Sequence, residues 1–160
     1  MSDSKLNVKK LVEEYQKLLL ELSDQKEALQ KEREKFPIRY MEKDDFEDWT
    51  LKAANLKHQS IRLFSLCAAL RTSIDIDVRH TISHILVDEA EDFLKDRGFQ
   101  KFTDSLRESV VSYHKEMKDL LKTQGRIEVL FDTVSRLTKA FETDETNLRV
   151  FANYKHKGGF

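Results

Sequence analysis

Arg79-His80-Thr81-Ile82-Ser83-His84 holds the densest set of chemically able side chains in this 160-residue chain. An imidazole can move protons near neutral pH, and a guanidinium can hold charge that develops on a phosphate. His80, His84 and Asp88 also share one helix face at i, i+4 and i+8, a possible metal stripe. Three ligands from one helix cannot close a tetrahedral site and no fourth is evident, so a solvated polar face is the better reading and no metal or cofactor is expected. The four glycines are Gly98, Gly125, Gly158 and Gly159, and none precedes a Lys-Ser/Thr pair, so no phosphate loop can be built. The nucleophile elbow, the zinc-protease helix and the Glu-x-x-His pair of di-iron bundles are absent too. Cys67 falls on an apolar stripe, where a buried inert thiol is expected. Near the C-terminus, Arg149, Tyr154, Lys155 and Lys157 interleave with Phe151 and Phe160. They read either as a frayed tail or as a small basic-aromatic contact for RNA or DNA that a multimer would strengthen by avidity.

These residues must be positioned by helices. Four glycines and one proline are too few for the turns of a sandwich, barrel or doubly wound sheet. A single cysteine excludes an intrachain disulfide. Lys plus Arg (28) balances Asp plus Glu (29), so no global field draws in nucleic acid or an acidic membrane. No apolar run reaches membrane-spanning length, and the first residues lack a signal-peptide pattern. A soluble, cytoplasmic, all-α protein is expected.

The spacing predicts helix 1 over 6–36, with Val8, Leu11, Tyr15, Leu18, Leu22, Leu29 and Phe36 on one stripe and Pro37 as its stop. Helix 2 is expected over 44–74, capped by Asp44 or Asp45, with a heptad through Phe46, Trp49, Ala53, Leu56, Ser60, Leu63, Cys67, Leu70 and Ile74. Phe64, Leu66 and Ala68 widen its apolar face. Residues 72–77 read as a tight interruption, and helix 3 follows over 78–97 with Gly98 as C-cap. Beyond it, Phe99, Leu106, Tyr113, Leu120, Ile127, Val134, Phe141 and Leu148 recur every seven residues, with Leu130 and Leu137 in the companion row. They predict a long helix over 99–141, continuous or bent at Gly125, then a turn and a short helix with a basic tail over 146–160. The whole is one helical unit, an elongated bundle with coiled-coil-like seams.

The Arg79–His84 stretch resembles the R-[N/D/H]-x-x-x-H motif of HEPN-domain ribonucleases, over six residues of the chain. That resemblance implies a helical, dimeric, metal-independent RNase in which Arg79 holds the scissile phosphate and His84 handles protons across a dimer axis. Arg107 to His114 supplies a looser match of the same kind.

The seam suggests a different task. A helix over 99–141 would be about 65 Å long, against rises of roughly 45, 45 and 30 Å for the helices that could cover it. Apolar surface in water costs about 25 cal/mol per Å². Either the first three helices fold back on the rod, or a second copy or another helical protein lies along Leu106, Tyr113, Leu120, Ile127, Leu130, Val134, Leu137 and Phe141. On this reading the protein is a non-catalytic, self-associating assembly, adaptor or regulatory subunit.

Overall fold

The computed structural model describes residues 2–35 and 43–156, and the side chains of 7–35 and 44–153. Among them every element is helical and no strand occurs. The order is α1 (Ser2–Lys35), α2 (Lys43–His84), a π-helical turn (Ile85–Glu89), α3 (Ala90–Asp96), α4 (Asp104–Tyr113) and α5 (Lys115–His156). The all-α class predicted from periodicity is the one observed. None of the described helices is long and apolar enough to cross a membrane. Phe36 and Pro37 lie outside the described residues.

The chain divides into two compact units, Met1–Cys67 with Leu130–Phe160, and Ala68–Val129. In the first, three helical segments pack together. The α2 heptad buries Phe46, Trp49, Ala53, Leu56, Ser60, Leu63 and Cys67, as its spacing requires. Ser60 is tolerated there because its hydroxyl donates to the Lys57 carbonyl at 2.8 Å. Val12, Tyr15 and Leu22 of α1 and Leu130, Val134, Phe141 and Leu148 of α5 complete the core. Lys57 meets Glu145 at 2.6 Å and the Phe64 and Phe131 rings lie 4.9 Å apart, so α2 and α5 run antiparallel. Arg33–Asp144 and Lys26 over the Phe141 ring place α1 against α5. Phe46, Trp49, Ala53 and Leu148 form one cluster beneath Leu29 and Ala152.

In the second unit, α2 does not stop at 72–77. The Thr72 hydroxyl donates back to the Ala68 carbonyl, Asp75 accepts from Gln124 at 2.7 Å, and Ile74 and Val78 are buried. Packing here overrides turn propensity. The disturbance comes ten residues later, where Ala90 N–H donates to the Ile85 carbonyl in a π turn, so that Ile85 and Ala90 are both buried five residues apart. Gly98 ends α3 as predicted. Its φ is +83°, its N–H donates to the Lys95 carbonyl and Phe99 N–H donates to the Leu94 carbonyl, the two bonds of a Schellman cap. Thr103 then caps α4 by accepting from Leu106 N–H.

The expected rod is broken at His114, not at Gly125. His114 is extended (φ −67°, ψ 127°), and its carbonyl accepts from Lys118 N–H to start α5. Gly125 sits within α5, whose helix also continues through 142–146. There Thr143 and Thr146 donate to the Lys139 and Glu142 carbonyls, so their hydroxyls follow the helix instead of capping a new one. Most of the expected partner seam is covered within the chain. Leu120, Ile127, Leu130, Val134 and Phe141 are buried by their own chain, and Leu106 and Leu137 are half-buried. Only Tyr113 of that row is open, at 71% exposure, because the extended residue after it shifts helical phase and turns Val110 inward instead.

Candidate functional site

Arg79 and His84 both lie on α2 and both are exposed. Five residues of α-helix set their directions about 140° apart. His84 is held among carboxylates: its Nδ1 lies 3.2 Å from Glu89 Oε1 and its Nε2 lies 3.7 Å from Asp88 Oδ2. Glu89 reaches a second imidazole with its other oxygen, 3.0 Å from His114 Nε2. The π turn makes this bridge possible by carrying Glu89 round to the α4–α5 joint. Beside it Arg107 pairs with Glu91. A phosphate approaching His84 meets Asp88 and Glu89, whose charges repel it. Among the described residues no group of three or more His, Cys, Asp or Glu side chains is arranged to hold a metal ion. The arrangement can tie α4 and the α5 start to the π turn.

Cys67 has no exposed surface, and burial pushes its thiol up to about 11. Burial first, then the charges of Cys67 and Glu14, also raises the Tyr15 phenol. Of the basic C-terminal set, Arg149 is engaged with Glu145, Nη2 to Oε1 at 2.6 Å. The side chains of Tyr154 and Lys155, and all of Lys157, lie outside the described residues.

A concave feature with an apolar interior lies in the first unit, between α1 and α2. It is an open groove of about 490 Å³. Its floor is made by the buried Tyr15, Leu22 and Leu63. One lip is the α1 row Leu11, Glu14, Leu18, Glu21 and Gln25; the other is Gln59, Arg62 and Leu66 of α2. Leu18 and Leu66, which both line the groove, stand 38% and 37% exposed. The cause is local. α1 carries apolar residues on two adjoining stripes: Val12, Tyr15 and Leu22 are buried, while Leu11 and Leu18, one step round, border the groove. Spacing alone places Leu11, Tyr15, Leu18 and Leu22 on a single stripe. The signal that separates them is the second row, Val12 and Leu19, which doubles the apolar width of the helix. Leu66 was visible in the same way, as part of the widened face of α2.

The chain matches no family model, and no similar curated protein or solved structure is found.

Proposed function

We propose that the chain is a non-catalytic adaptor or assembly protein that takes an amphipathic helix of a partner protein into the α1/α2 groove of its first unit. The observation that carries this reading is the groove itself, an apolar floor bounded by Leu11, Leu18 and Leu66 on helices that face water. From Leu11 to Gln25 it follows about 21 Å of helix, the length of four turns of a partner. Helix-in-groove docking uses apolar anchors at i, i+3, i+4 and i+7, and the two lips offer them a matching surface. The placement of Glu89 between two histidines and the inert Cys67 add support, since the best nucleophile and the best acid–base group are engaged or hidden.

The test is binding of a synthetic helical peptide with one leucine stripe and glutamine flanks to the full chain. Saturable binding is expected. Leu18→Lys should weaken it by about tenfold or more, the loss of one buried leucine, while Val150→Lys, on exposed surface away from the groove, should leave it unchanged. Binding that ignores Leu18→Lys, or none at all, refutes the proposal.

A further inference from the structure

We infer that the helix taken by this groove carries two cations seven residues apart along one flank of its apolar stripe and an acidic residue on the other. This deepens the docking reading above and rests on it. The two lips differ in charge. On α1 the groove is lined by Glu14 and Glu21, seven residues and about 10.5 Å apart on one side. On α2 the lining polar residues are Gln59 and Arg62. Lys17, 4.0 Å from Glu21, is a solvated ion-pair partner that does not line the groove. An occupant therefore meets two acids on its α1 side and one guanidinium on its α2 side. That polarity fixes its rotation about its own axis, since like charges placed against a lip are penalised. With a formal net charge of −1 for the whole chain, recognition comes from these lips and not from a long-range field.

Three peptides with an identical leucine stripe separate the possibilities: one with lysines at i and i+7 on one flank, one with glutamines there, and one with glutamates. Each is titrated against the full chain at about 50 mM and about 500 mM salt. The lysine peptide should bind roughly 3- to 10-fold more tightly than the glutamine peptide at low salt, as two exposed ion pairs provide, and the gap should close at high salt. The Glu14→Lys, Glu21→Lys double variant, with folding checked by circular dichroism, should reverse the order and prefer the glutamate peptide. Equal binding of lysine and glutamine peptides overturns this inference while leaving the groove reading intact. No binding of any peptide overturns both. Sedimentation showing a dimer that Leu18→Lys dissolves names a second copy as the occupant and overturns the inference.

Discussion

Cys67 and His84 are the two side chains from which reactivity would first be expected, and each is restrained by a different cause. Burial removes water from the Cys67 thiol and pushes it up to about 11, so almost no thiolate forms near neutral pH. A thiol-specific reagent at about pH 8 should therefore react only as fast as the protein opens, and completely once it is unfolded. Rapid modification of the folded chain would contradict that burial. His84 is open to solvent but faces Asp88 and Glu89, which suit a cation and repel a phosphate. On this account RNA incubated with wild type and with His84→Ala shows the same fate, whereas cleavage lost only in the variant would support the HEPN resemblance of Arg79 and His84. The motif was legible in the sequence. The carboxylate beside it was not, because Glu89 reaches His84 and His114 only through a π turn that no residue type announces.

At the scale of elements, the helices obey packing before propensity. Gly125 and Gly98 test that in opposite directions. Gly125 is helical, and a Cβ there meets nothing within 4 Å, so Gly125→Ala should raise stability by about 0.5–1 kcal/mol. Gly98 has equal space but a φ of +83°, so Gly98→Ala should lower it by about 1–2 kcal/mol. Urea midpoints compare the two, and equal shifts would refute the assignment of α5 as continuous. The buried Glu145 ties α5 to α2. Lys57 beside it holds its carboxyl below the usual carboxylate range, Arg149 adds to this, and burial opposes both. A depressed folded value contributes stability above the ordinary carboxylate range that is lost as pH falls through it. Lys57→Met should cost roughly 1–3 kcal/mol at about pH 7, for a buried group left without its partner, and much less at about pH 3. A cost unchanged with pH would mean that the pair is not what stabilises this contact. The α2 heptad from Phe46 to Cys67 was legible because one unbroken helix keeps one phase. Tyr113 was misplaced because an extrapolated seven-residue repeat cannot foresee the extended His114.

For the whole molecule, the destination of the C-terminal seam bears on the proposed docking role. Spacing alone leaves Leu120, Ile127, Val134 and Phe141 either to the chain's other helices or to a second molecule, and the chain covers them itself. Among the apolar side chains left open, Leu18 and Leu66 are the two that border a groove, on helices whose inner faces are already filled. Sequence periodicity shows which residues are apolar and in phase; it does not show which of two adjoining stripes a neighbour will cover. Amide chemical shifts of the full labelled chain, followed through a titration with the lysine-flanked helical peptide, test this most directly. Changes concentrated in residues 11–25 and 59–66 are expected, with α5 residues such as Ile127 and Val134 unaffected. Changes centred on α5, or none at saturating peptide, would contradict it.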